Sequence, residues 1–189
     1  MSEISSTSMI VTLGLAGLVS GLAIVGVYEL TLPRIERNKA EALQKAVFEV
    51  VPGAKDMEAL EAWGEGETLY AAMDAQGEVI GYAVPAEGAG FQDLIELLYG
   101  LDATGDNIVG MRVLESRETP GLGDKIIKDA TFVGQFEGLN AQADLVVVKD
   151  GATEPYELDA ITGATISSKA VAKIINQGNA TWRERIRGL

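Results

Sequence analysis

Cysteine and histidine are both absent from the 189 residues. Their absence removes thiolate ligation of iron–sulfur clusters, the His and Cys axial ligands of haem, ordinary zinc sites and any Ser-His or Cys-His catalytic pair. Redox or hydrolytic chemistry must then rest on carboxylates, hydroxyls, the backbone or a supplied cofactor. Disulfides are excluded too, so cysteine usage says nothing of compartment. Positive charge is missing at the start: all 15 Lys and Arg lie beyond Pro33, and Glu3 and Glu29 are the only charges before it. The formal net charge of -13 argues against nucleic acid, whose phosphates would be repelled. An acidic, solvated surface is the plain reading of the soluble part.

What is present begins with one long apolar run. Met9 to Val27 carries no charge and is long enough to cross a bilayer of roughly 30 Å. A retained single-pass anchor is expected over 9–32, after a tail over 1–8. A cleaved signal peptide fits less well, because there is no basic n-region and the run is too long. Gly14, Gly17 and Gly21 form a small-residue stripe, the last two in GxxxG spacing, which allows close approach of another helix. Past Pro33 an amphipathic helix is expected, with Ile35, Leu43, Ala46, Val47 and Val50 towards one side and Pro52-Gly53 ending it. The membrane-proximal helix is placed at 33–53 and a globular domain at 54–189.

From Thr68 the period becomes that of strands. Leu69 to Met73, a turn at Asp74 to Gly77 and Val79 to Val84 read as a hairpin. Glu87 to Phe91 reads as a flexible link into Leu94 to Tyr99, and Asp102 to Asn107 as a turn into Ile108 to Leu114. The expected class is α+β, an antiparallel sheet with flanking helices. Gly64 and Gly66 punctuate a loop.

Two stretches carry chemistry. In Asp159-Ala160-Ile161-Thr162-Gly163-Ala164-Thr165-Ile166-Ser167-Ser168-Lys169, a strand around Val146 to Val148 precedes a glycine turn and the first turn of a helix. Ile166, Ala170, Val171, Ile174 and Ile175 then recur at helical spacing, leaving Lys169, Lys173 and Gln177 wetter. Gly163 permits a sharp turn, and hydroxyls at Thr165, Ser167 and Ser168 gather where helix N–H groups lack partners. On the residues alone, a hydroxyl cap and a phosphate-binding turn both fit. Glu118-Thr119-Pro120-Gly121-Leu122-Gly123 is by itself a turn signal.

Together, in this order and spacing, the two stretches resemble the paired motifs of the FMN-binding domain family. Thr-Gly-Ala-Thr followed by Ile-Ser-Ser is similar to its flavinylation motif, and Glu-Thr-Pro-Gly-Leu-Gly to the loop that closes over the flavin. The likeness extends over most of residues 68–180. The resemblance implies FMN attached by phosphoester to Thr165, with Thr162, Gly163, Ala164, Glu118, Thr119, Gly121, Leu122 and Gly123 as cofactor-binding residues. Contacts to the ring or ribityl chain are expected from backbone N–H groups at Gly121 to Gly123 and the side chains of Glu118 and Thr119. Lys125 is a surface lysine or a counter-charge for the phosphate. No residue is assigned a catalytic role and no metal ligand is expected.

One membrane helix followed by such a domain is similar to the G subunit of Rnf-type ion-translocating ferredoxin:NAD oxidoreductase complexes. That implies an electron-relay protein, inactive alone, whose partners are other membrane and redox subunits and, during maturation, a flavin transferase. It also implies the cytoplasmic (inner) membrane with the FMN domain on the extracytoplasmic side, although the basic residues Arg34, Arg37, Lys39 and Lys45 argue the reverse by the positive-inside rule. Three alternatives remain: a stand-alone membrane-anchored FMN carrier, a relative of the C subunit of sodium-pumping NADH:quinone reductase, and a regulatory FMN-binding domain without turnover. One departure from the family pattern is Ser116, where members often have His.

Overall fold

The computed structural model describes residues 6–61, 68–149 and 151–188. Gly64, Gly66 and residues 1–5 of the expected tail lie outside the described residues. The chain divides into two compact units, Met1–Glu41 and Ala42–Leu189.

A single helix, α1 (Ser6–Val50), runs through Pro33. Proline there forgoes one intrahelical hydrogen bond without ending the helix. In the first unit its side chains are exposed throughout apart from Leu32, which is half-buried. The helix is long and apolar enough to cross a membrane. The Thr12 and Thr31 hydroxyls donate back to the carbonyls of Ser8 and Val27, so these polar groups need no outside partner in an apolar medium. Ile35, expected on the apolar side of the following stretch, is exposed.

The second unit is built on strands β1 (Asp56–Glu61), β2 (Thr68–Met73), β3 (Val79–Ala89), β4 (Leu94–Asp102) and β5 (Asn107–Ser116). Short helices α2 (Lys125–Lys128) and α3 (Ala130–Gly134) follow, then β6 (Leu139–Asn140), β7 (Val146–Val148), β8 (Glu157–Asp159) and the long α4 (Thr165–Ile186). Among the described residues β1 to β6 form one antiparallel sheet in sequence order, and β7 and β8 form a separate parallel pair.

Strand β4 shows why the sheet sits where it does. Ile95, Leu97, Tyr99 and Leu101 point to one face and join the main core with α4, while Leu98 points to the other and packs with Ala46, Val47 and Val50 of α1. A strand covered on both faces reads as a continuous apolar run, and Leu97 to Leu101 is buried without interruption. Helix α4 reaches this core through Ala170, Val171, Ile174, Ile175, Trp182 and Ile186, a stripe at helical spacing.

Three expectations need correction. Glu87 to Ala89 belong to β3, paired with Leu94 to Glu96, and are not a flexible link. Strand β1 has no counterpart in the sequence reading, because Asp56-Met57-Glu58-Ala59-Leu60-Glu61 alternates charge with small or flexible residues instead of β-branched ones. Ile166, expected in the buried stripe of α4, is exposed, while Ser167 and Ser168 beside it in the first turn take the buried side.

Candidate functional site

Strand β8 ends at Asp159, and the chain turns back through Gly163, whose φ of 83° lies in the left-handed region. A Cβ there would meet nothing closer than 3.8 Å, so conformation and not crowding calls for glycine. Helix α4 then starts at Thr165 with Ala164 as its N-cap and no side-chain capping hydrogen bond. Neither Thr165 nor Ser167 acts as the cap.

The three hydroxyls of this turn have separate surroundings. Ser168 is buried, accepts from the Ile161 amide at 3.2 Å and donates to the Ala164 carbonyl at 3.0 Å, closing the turn on itself. Ser167 is buried and donates to Glu118 Oε2 at 2.6 Å. Thr165 stays half-buried at the surface of the turn. On the far side Lys125 Nζ donates to the Thr162 carbonyl at 3.1 Å, which sets an ammonium group against the same turn.

The Glu118–Gly123 loop is held internally. The Gly121 amide donates to Asp124 Oδ1 at 2.7 Å and the Leu122 amide to the Thr119 carbonyl at 3.2 Å. Two of the three amides expected to face a ligand are therefore engaged within the loop. Thr119 Oγ1 donates to Gln92 Oε1 at 2.7 Å. Glu118 is only 5% exposed and accepts from the amides of Phe91 at 2.7 Å and Gln92 at 2.9 Å. Burial alone would raise its carboxyl pKa, but the Ser167 hydroxyl and the backbone donors outweigh that and hold it below the ordinary glutamate range.

The two stretches meet at a cavity of about 330 Å³. Thr119, Leu122 and Gly123 form one wall, Gly163 to Ser167 the other, and Phe91 the lip. Of the residues predicted from sequence, Thr165, Gly163, Ala164, Thr119, Leu122 and Gly123 line it. Glu118 lies behind the wall, and Gly121 and Thr162 are outside the lining. Phe91, Ile166 and Ser167 also line it; the sequence reading names Ile166 and Ser167 within the turn motif but counts none of the three among the cofactor-binding residues. An aromatic residue after Gly90 is the only sequence signal available for Phe91.

The lining suits FMN. Phe91, Leu122 and Ile166 expose 63%, 52% and 59% of their surface at the rim, an apolar margin that a flat ring system would cover. The same lining includes Thr165 and the uncapped first turn of a 22-residue helix, groups that favour a phosphate, and Lys125 lies outside the lining against the Thr162 carbonyl.

Residues 90–179 match the FMN-binding domain family. The chain is 34% identical over 176 residues to the G subunit of the ion-translocating oxidoreductase complex of Methanosarcina acetivorans, covering 90% of each protein. It is 35% identical to the G subunit of the proton-translocating ferredoxin:NAD(+) oxidoreductase complex of Clostridium ljungdahlii, covering 84% of this chain and 82% of that one. The fold is similar to the crystal structure of the C subunit of the Na(+)-translocating NADH-quinone reductase from Parabacteroides distasonis. That likeness has a TM-score of 0.64 at 19% identity, over 81% of this chain and 96% of that chain. NqrC of Shewanella oneidensis is similar with a TM-score of 0.60 at 20% identity, covering 75% of each.

Proposed function

Since the chain belongs to the family of G subunits of ion-translocating oxidoreductase complexes, we propose that it is the membrane-anchored flavin subunit of a ferredoxin:NAD oxidoreductase complex, with FMN joined to Thr165. The observation that carries this reading is the convergence of the Glu118–Gly123 loop and the Gly163–Ser167 turn on one cavity with Thr165 in its wall. FMN, when bound, supplies one- and two-electron transfer.

The chain's own residues supply attachment and environment. The Thr165 hydroxyl is the acceptor: its Oγ forms the bond to phosphorus and loses its proton. A flavin transferase supplies FMN from a phosphoanhydride-linked donor, whose nucleotide half departs. The first amides of α4, with Lys125 nearby, would offset the charge of an attached phosphate. Phe91, Leu122 and Ile166 would supply the apolar cover for the ring. The sequence has no cysteine or histidine to ligate an iron–sulfur cluster, so in this reading the flavin is the chain's electron carrier and the other subunits of the complex are its exchange partners. The side proposed for the flavin domain is the extracytoplasmic one.

Intact mass of the purified, denatured protein tests the attachment. The expected result is an added mass of one FMN less one water in the wild type and none in Thr165→Val, which keeps shape but removes the oxygen. Flavin mass retained by denatured Thr165→Val would sink the assignment. Co-purification with iron–sulfur subunits separates a relay from a stand-alone carrier.

A further inference from the structure

Glu118 does not line the cavity, although its place in the loop motif led to the expectation of a flavin contact. Its surroundings give it a different task. The carboxylate is buried among neutral donors, the amides of Phe91 and Gln92 on Oε1 and the hydroxyl of Ser167 on Oε2. A carboxylate accepts on both oxygens, which matches a niche with donors at each end. The fit is close. A Cβ on Gly90 would collide with Oε1, and a Cβ on Gly123 would collide with Oε2 and come within 2.9 Å of Ser167 Oγ.

Those donors come from two separate segments, and Glu118 belongs to a third. Phe91 and Gln92 lie in the connection between β3 and β4, Glu118 opens the loop after β5, and Ser167 lies in the first turn of α4. The same three segments form the lip and both walls of the cavity. Ser167 is two residues from Thr165, so the bond that fixes its hydroxyl also fixes the turn presenting the acceptor oxygen.

We propose that Glu118 is the positioning residue of this site, a carboxylate latch that holds the Phe91 lip and the Thr165 turn in register without touching the cofactor. The proposal rests on the reading of the cavity as a flavin site for its functional consequence, though not for the latch itself. Breaking the Ser167 arm releases the α4 turn, and the disturbance reaches Phe91 through Glu118. A residue that merely filled space would transmit nothing to those amides.

The test uses the full chain in detergent, co-expressed with the flavin transferase, as wild type, Ser167→Ala, Glu118→Gln and Glu118→Ala. Hydrogen exchange is followed at Phe91 and Gln92 and, as an internal reference, in β4. Flavin incorporation is followed by intact mass, and the bound flavin by visible circular dichroism. In Ser167→Ala, exchange at Phe91 and Gln92 is expected to rise about tenfold with β4 unchanged, and flavin incorporation to fall about tenfold. Residual flavin should give an altered dichroic signal. Glu118→Gln keeps an acceptor for the amides and offers a donor to Ser167, so it should fall between wild type and Glu118→Ala.

Wild-type exchange at Phe91 and Gln92 together with wild-type flavin loading in Ser167→Ala would overturn the latch. If Glu118→Ala does not fold, Ser167→Ala and Glu118→Gln still decide. Wild-type protein without flavin would count against the reading of the cavity, and exchange alone would then decide the latch.

Discussion

Gly100 of β4 and Gly110 of β5 face each other in register, and the backbone of Val50 lies across both of them. A Cβ on Gly100 would collide with the Val50 carbonyl oxygen, whereas one on Gly110 would lie 2.8 Å from the same oxygen and 3.0 Å from Val50 Cα. The last turn of α1 therefore packs backbone to backbone on the sheet. Gly100→Ala is expected to lower stability by about 1–3 kcal/mol, the range for overpacking a core, and Gly110→Ala by less. Urea denaturation of the two variants checks the order, and equal midpoints at the wild-type value would contradict this packing.

How much of this is legible in the sequence depends on range. The β2–β3 hairpin shows as strand-period runs around a turn at Asp74 to Gly77, and α4 as a stripe continuing from Ala170. Both signals are local. Strand β1 is hidden because its half-burial comes from pairing with β2, which no property of Asp56 to Glu61 announces. At the site, the two motifs identify the walls. The lip and the latch depend on contacts between residues 27 and 49 positions apart, Phe91 with Glu118 and Glu118 with Ser167, and no local pattern encodes these. The motif suggests close approach of the ring at Gly123, but the neighbours of that glycine are Glu118 and Ser167.

The two glycines of the Pro120-Gly121-Leu122-Gly123 loop should therefore respond differently. Gly121 has a φ of 79° and open space around its missing Cβ. Gly121→Ala is expected to cost about 1–2 kcal/mol of backbone strain with flavin incorporation largely retained. Gly123→Ala drives a methyl group into the Glu118 carboxylate, so flavin incorporation should fall while the β4 core stays folded. Measuring flavin mass and denaturation midpoint on both variants checks this. A larger loss of flavin in Gly121→Ala than in Gly123→Ala would reverse the assignment.

Acid sensitivity should have a component remote from the site. Burial alone would raise the Asp102 carboxyl pKa, but the Asn107 and Thr104 side chains and the amides of Asp106 and Asn107 together hold it below the ordinary range. The folded state thus takes up this proton less readily than the unfolded chain. The resulting stability is present above the unfolded aspartate pKa of about 4 and is lost as pH falls through the folded value. Glu118 acts in the same direction. Urea midpoints should hold near neutrality and drop below about pH 4. Asp102→Asn should be less stable at pH 7, with a shallower acid slope. An unchanged slope would remove Asp102 from the groups responsible.

Orientation is where two physical arguments conflict. Arg34, Arg37, Lys39 and Lys45 follow the apolar run, and no basic residue precedes it, so the positive-inside rule alone would keep the flavin domain in the cytoplasm. Glu36 and Glu41 lie among those cations, and Arg37 and Glu41 form an ion pair at 3.4 Å, but acidic residues weigh little in that rule. Packing with partner helices along Gly14, Gly17 and Gly21 can fix an anchor against the charge bias. The expected arrangement is an inside N-terminus and an outside Thr165. Gln76, exposed in the turn between β2 and β3, is a suitable reporter, since the chain has no cysteine to compete with one placed there. Gln76→Cys in cells stripped of their outer barrier should react with a membrane-impermeant thiol reagent before the cytoplasmic membrane is broken. Labelling only after that membrane is broken would put the flavin domain in the cytoplasm and overturn the proposed side of electron transfer.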